Sequence, residues 1–171
     1  MTRKFDVVFT AAGIPPNPPN GVNESSSTVV QRINAVSKTG IFVRITLRGI
    51  VNENTVLTAV TISNAVPAAT PQPWDSANPP VPVTFSGTGA VTITGAGIAV
   101  SDKVSFTVDQ GTDLLVAMNV DNGSGRILRR DLQGAIAFIG NNRAEATSMD
   151  RSAGYNTDNN RVYCIESIEV A

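Results

Sequence analysis

The chain has no histidine and only one cysteine, Cys164. Without imidazole it cannot build a Ser-His-Asp hydrolase site, and zinc and other metals that favour imidazole or thiolate lack ligands. Serine chemistry would need a Ser-Lys or carboxylate arrangement, but Lys4, Lys38 and Lys103 sit in no recognisable motif. A single cysteine forms no internal disulfide and has no partner for thiolate catalysis, so Cys164 reads as a small buried core residue. Charged side chains make up 16% of the chain and the formal net charge is −1. A typical globular protein carries about 25% charged residues, and a nucleic-acid footprint needs clustered Lys and Arg to displace counterions; nucleic acid is therefore not an expected partner. No apolar run approaches the roughly 20 residues of a membrane span, and the start, MTRKFDVVFTAAG, lacks a signal-peptide core. No signal peptide, membrane segment or cofactor is expected. Amphipathic helical periodicity is missing as well.

Two-residue periodicity takes its place. Ile41, Val43, Ile45 and Leu47 alternate with Phe42, Arg44, Thr46 and Arg48, the signature of a half-buried strand. Similar runs cover 28–34, 56–62, 81–85, 90–93, 104–108, 114–120, 135–139 and 161–170, separated by Gly, Pro, Asn or Asp. About eight to ten short strands without helices predict an all-β fold, an antiparallel β-sandwich whose alternating faces meet in one core. That core is expected to contain Ile45, Leu47, Ile62, Phe85, Ile93, Phe106, Leu114, Val116, Ile136 and Phe138. A length of 171 residues suits one domain burying about 70% of its unfolded surface.

Two proline-rich segments interrupt the pattern. Residues 11–27 hold Pro15, Pro16, Pro18 and Pro19 before Asn20-Gly21, and proline donates no ladder hydrogen bond. Residues 1–27 are therefore expected to form an extended arm. Lys4, Phe5, Val7 and Phe9 would lie in or beside a short strand that adds to a neighbouring sheet, with the prolines as a stiff spacer; residues 28–171 would form the sandwich. Residues 67–82 carry six prolines around Trp74 and read as a long surface loop.

The stretch 83–120, VTFSGTGAVTITGAGIAVSDKVSFTVDQGTDLLVAMNV, resembles the β-rich domain that precedes the catalytic domain in many secreted SGNH/GDSL-type esterases. Ser101-Asp102 with Val104, Phe106 and Val108, followed by Asp113-Leu114 and Val116, carry the resemblance, with Lys103 where the family usually has proline. Residues 144–155 and 162–170 match its later segments in outline, and the Thr46 to Gly49 region departs from its pattern. The resemblance implies a jelly-roll-like sandwich. The Gly-Asp-Ser nucleophile block of the hydrolase does not occur, which implies an accessory β-domain acting without a catalytic half.

Remaining chemistry is sparse. Asp109 and Asp113 are paired carboxylates by spacing alone, with Asp109-Gln110-Gly111 reading as a turn. Asp150, Asn156, Asp158, Asn159 and Asn160, or Asp121 and Asn122, offer oxygen ligands for calcium or are simply turn formers. Trp74 with Asp75 and Asn78, and Tyr155, are candidates for stacking on a sugar; the stronger reading of Trp74 is that it pins its loop to the sandwich. Arg126, Arg129 and Arg130 form the one basic cluster, a solvated loop edge or subunit contact. A non-enzymatic sandwich with an arm, a weakly charged surface and no secretion signal fits a bacteriophage virion component, in capsid decoration or in a tail, spike or fibre, assembled in the host cytoplasm. Its expected partners are other virion proteins or copies of itself, with a surface glycan possible. The alternative is a carbohydrate-binding module working beside a separate esterase.

Overall fold

The structure is a computed structural model that describes residues 4–123 and 125–171. Every named element among them is a strand, and every strand pairing is antiparallel. Among the described residues no helix is long and apolar enough to cross a membrane.

One sheet, the open sheet, contains β1 (Asp6–Thr10), β14 (Ile165–Val170) and β4 (Gly40–Arg48), with β8 (Ile98–Val100) and β9 (Val104–Val108) both pairing with β4. The other, the covered sheet, runs β13 (Asn156–Tyr163), β12 (Arg129–Asn141), β3 (Ser26–Ile33), β10 (Leu114–Asp121), β5 (Asn54–Asn64), with β6 (Val81–Pro82) and β7 (Val91–Thr94) on β5. A small ribbon joins β2 (Val22–Asn23) to β11 (Arg126–Ile127). In chain order β3, β4, β5, β9, β10 and β14 alternate between the two sheets, with β6 and β7 following β5, and β12 and β13 following β10, in the covered sheet, and the two antiparallel sheets form a β-sandwich.

Alternation builds the core. Val43, Ile45 and Leu47 of β4 point inward to meet Val29, Ile62, Phe106, Leu114 and Val116, while Phe42, Arg44, Thr46 and Arg48 lie half-buried on the outer face. Eight of the ten expected core residues belong to this cluster. Phe138 is buried on the opposite face of the covered sheet, with Ile136 partly buried beside it. The central strands β3 and β10 are buried along nearly their whole lengths, because this sheet is covered on both faces. Their polar side chains consequently find partners: Thr28 donates to Asn119 Oδ1 at 3.0 Å, and Gln31 Nε2 donates to the Ile136 and Arg161 carbonyls at 2.9 and 3.1 Å.

Three expectations need correction. The run 161–170 is two strands: Cys164, at φ 53°, turns the chain from the covered sheet into the open one. Its N–H donates to the Leu128 carbonyl at 3.1 Å, and its carbonyl accepts from Arg48 N–H at 2.7 Å. The run 81–85 gives only the two-residue β6.

The third correction is the arm, of which residues 1–3 lie outside the described residues. Asp6–Thr10 is a strand, but it pairs with β14 of its own sandwich, Asp6 opposite Val170 and Val7 opposite Glu169. The free edge of β14 belongs to the same chain and is met without bringing two molecules together. Phe9 packs on the core, Lys4 is exposed and Phe5 half-buried. The segment holding Pro15, Pro16, Pro18 and Pro19 lies along β12. Asn17, between the prolines, supplies the donors they lack: its N–H bonds the Arg129 carbonyl at 2.8 Å and its side-chain amide bonds Asp131 at 2.5 Å. Gly21, at φ 72°, sits where an added Cβ would be 2.5 Å from the Ile127 carbonyl oxygen. The boundary drawn at residue 27 falls inside β3, a central strand.

Candidate functional site

Two loops, residues 65–80 and 142–155, close over the outer face of the covered sheet. Arg32, buried in β3, anchors the first: its guanidinium bonds Asp113 at 2.7 Å and donates to the Val66 and Pro73 carbonyls at 2.9 and 3.2 Å. Arg151, also buried, ties the second loop to the first by donating to the carbonyls of Trp74, Glu145 and Ala146 and to Ser76 Oγ. Burial lowers its pKa, and a guanidinium stays protonated regardless. Between the loops and the sheet lies a second apolar cluster that includes Val30, Leu115, Phe138, Trp74 and Tyr155.

This geometry corrects the sugar-stacking expectation. Trp74 is 8% exposed and Tyr155 6%, and the two rings stack on each other with centroids 5.4 Å apart. Phe138 lies 5.7 Å from Trp74, and the Arg143 guanidinium 5.0 Å from the Tyr155 ring centre, so neither aromatic offers a sugar an open face. Asp75 accepts the Arg151 N–H at 2.8 Å and Asn78 accepts the Asn64 N–H at 2.8 Å; both hold the loop. Burial pushes the Tyr155 hydroxyl up to about 12, and it donates to Glu145 at 3.0 Å. Burial raises the Glu145 carboxyl, but bonds from Ser152 and Tyr155 and the Arg143 charge outweigh it and leave the group below its ordinary value.

The oxygen-rich calcium loop is not formed either. Asn156–Tyr163 is β13, paired with β12, so cross-strand bonding overrides the turn preference of Asp and Asn. Asp158 accepts the Tyr163 hydroxyl at 2.6 Å and lies 3.8 Å from Arg129. Asp150 instead lines a cleft of about 280 Å³ with Asp75 and Gln72. No group of three His, Cys, Asp or Glu side chains able to hold a metal occurs among the described residues. Asn122 makes a turn, accepting from Val56 N–H at 2.5 Å. Asp113 is held by Arg32 and Ala35 N–H, and Asp109 caps the turn at Thr112 through its carbonyl.

The basic cluster also disperses. Arg126 lies in β11, Arg129 bonds the Asn17 carbonyl, and Arg130 turns inward to Glu166 at 2.7 Å. Glu166 simultaneously takes Arg48 Nε and Nη2 at 2.9 and 3.0 Å. This Arg48–Glu166–Arg130 triad borders a cleft of about 370 Å³ lined by Ile14, Pro16, Ile50, Val51 and Leu128. Sequence reading missed it because its members come from three strands with no local spacing signal. Burial alone would raise the Glu166 carboxyl; the hydrogen bonds and charges of Arg48 and Arg130 prevail and lower it.

Among the described residues, the outer face of the open sheet carries no such covering of loops, apart from the Phe5 ring at Arg44. Cross-strand register places Val7, Glu169 and Arg44 on one level, Ser167, Thr46 and Val100 on the next, and Arg48 with Ile98 beyond. Val7, Ile98 and Val100 are 52%, 55% and 47% exposed. Arg44 pairs with Glu169 at 2.8 Å and lies 4.3 Å over the Phe5 ring, while Lys103 lies 4.2 Å over Phe42. The residues expected to form an arm strand thus become one margin of a broad surface. Val7 and Phe9, two residues apart, would share a face in a regular strand; the bulge between them in β1 puts Phe9 against the core and leaves Val7 exposed, and nothing local told which strands would lie beside them. No protein-family model matches the chain, and no curated protein is found to be similar to it.

Proposed function

We propose that this chain is a non-enzymatic structural protein of a bacteriophage particle, a rigid β-sandwich that docks through the outer face of its open sheet. The observation that carries the reading is the unequal treatment of the two sheets. The covered sheet has its outer apolar residues sealed by two loops and the Trp74–Tyr155 stack, whereas the open sheet presents Val7, Ile98 and Val100 to solvent. Large aliphatic side chains exposed on both margins of a regular sheet face, with paired charges between them, suit a docking surface of mixed character.

Chemistry of the side chains supports the non-enzymatic part. The chain lacks histidine, burial pushes the Cys164 thiol up to about 12, and Asp113, Glu145, Glu166 and Glu169 each serve a structural partner. Assembly in a host cytoplasm, a reducing compartment, suits a chain whose one cysteine is buried and free. The resemblance to the β-domain of SGNH/GDSL-type esterases fits the same picture of a β-module without a catalytic half.

The test is composition of purified particles. Density-gradient fractions should contain the chain at a fixed, symmetric copy number, and a genome lacking its reading frame should yield particles that are incomplete or less stable. Particles that contain none of the chain and form normally without it would sink the reading.

A further inference from the structure

We propose that the outer face of the open sheet is self-complementary, and that the partner docking there is a second copy of this chain, related by a twofold axis that runs along the strands between β14 and β4. The inference rests on the docking face just described and names its occupant. Strand order on this face is β1, β14, β4, β8, with β9 continuing along the same edge of β4. Its outward side chains follow the same order by type: apolar Val7 on β1, acidic Glu166 and Glu169 on β14, basic Arg44 and Arg48 on β4, apolar Ile98 and Val100 on β8.

A twofold axis between the two middle strands exchanges β14 with β4 and β1 with β8. It therefore lays the arginine column of each copy on the glutamate column of the other, and brings the β1 margin of each copy against the β8 margin of its mate. Each contact then occurs twice, as an isologous interface requires. Arg44 and Glu169 are register partners, so the exchange keeps them on one level. Val7 shares that level, and Val100 lies one row along, an offset of about 7 Å. The row between, Thr46 with Ser167, has short side chains that allow two sheets to approach to about 10 Å.

Charge also argues against other occupants. Arg44 pairs with Glu169, and Arg48 shares Glu166 with the buried Arg130, so acidic side chains stand among the cations of this face, whereas a phosphate backbone needs a run of uncompensated cations. The charged middle columns equally interrupt the continuous apolar surface that a lipid layer would take. A second copy meets the columns in matching order, and complementary charge of this kind sets register and excludes wrong partners.

Sedimentation equilibrium of the full chain tests the proposal. The parent should reach twice the monomer mass of 17.9 kDa. Arg44→Glu and Glu169→Lys each leave one sign at that level on both strands, so each variant alone should associate roughly a hundredfold more weakly. Mixed together, the two should form a heterodimer, and the double exchange R44E/E169K should dimerise like the parent. Val100→Lys, at an exposed position, supplies a variant that leaves the in-chain ion pairs intact and should also run as a monomer; thermal unfolding of each variant confirms that it is folded. A parent that stays monomeric at all accessible concentrations, forms three or more copies, or dimerises unaffected by every folded variant overturns the twofold. Particles that carry the chain beside a monomeric parent in solution would reject the second copy while leaving the structural function standing.

Discussion

The indole of Trp74 lies on the phenol ring of Tyr155, with planes 21° apart, and this stack, together with the Arg151 hydrogen bonds, joins two loops remote in sequence into a lid over the covered sheet. The stack is a core contact in a place where the residue types suggest a binding site. Offset stacking contributes about 0.5 to 1.5 kcal/mol beyond area burial, and both rings also bury apolar surface against Phe138 and Val30.

Trp74→Ala should therefore cost about 3 to 5 kcal/mol of stability, measured by denaturant unfolding. A sugar-stacking tryptophan would instead leave stability unchanged. Gly140 gives an independent check on the same contact. A Cβ there would lie 2.5 Å from Tyr155 Cζ and 2.7 Å from Cε1, so Gly140→Ala should push the phenol off the indole and cost about 1 to 3 kcal/mol. Because Trp74 is the chain's one tryptophan, its fluorescence should shift to longer wavelength in that variant.

The Arg48–Glu166–Arg130 triad predicts an acid dependence. The folded-state pKa of Glu166 lies below its ordinary 4.5, so the ionised group adds stability above that value, and the contribution is lost as pH falls through the folded value. Glu166→Gln should destabilise the protein at pH 7 by about 3 kcal/mol, the low end for breaking a pair that contains a buried charge. The gap between parent and variant should shrink in melts taken at successively lower pH below about 4.5. An unchanging gap would show that the triad's carboxylate charge is not what matters.

Strands were largely legible in the sequence because a half-buried strand writes its alternation locally; 104–108 has the observed bounds of β9. Residues 161–170 misled for the same reason, since local alternation carries no sign of the sheet change at Cys164, a left-handed residue without glycine's signature. The site was far less legible. Trp74 and Tyr155 look exposed when their loops are read as loops, and only tertiary placement over β3, β10 and β12 buries them. The open face is invisible in one dimension, since Val7, Glu169, Arg44 and Val100 become neighbours through pairing of β1, β14, β4 and β8.

Cys164 should be chemically silent in the native protein. Its thiol is buried and raised by that burial to about 12, so an aromatic disulfide reagent at pH 8 should react only as fast as the chain unfolds. Fast stoichiometric labelling of folded protein would contradict its placement. Its positive φ adds a second expectation: Cys164→Val, β-branched in a left-handed conformation, should cost about 1 to 3 kcal/mol, more than Cys164→Gly, which accepts that conformation freely.

Removal of residues 1–27 decides whether the N-terminal segment is a detachable arm or part of the sandwich. The truncation takes away β1, leaving the β14 edge unpaired, and with it Phe9 and Ala11, which pack on the core. It also removes β2 and the first two residues of β3, a strand bonded on both sides by β10 and β12. Several buried side chains at about 1.5 to 3 kcal/mol each amount to much of a typical domain's 5 to 15 kcal/mol. The 28–171 fragment should therefore be unfolded or aggregated, with the loss of β-sheet circular dichroism and of a cooperative melt. A fragment that instead melts at the parent's temperature, and only fails to join its assembly, would make the segment an arm whose pairing with β14 contributes nothing to the fold.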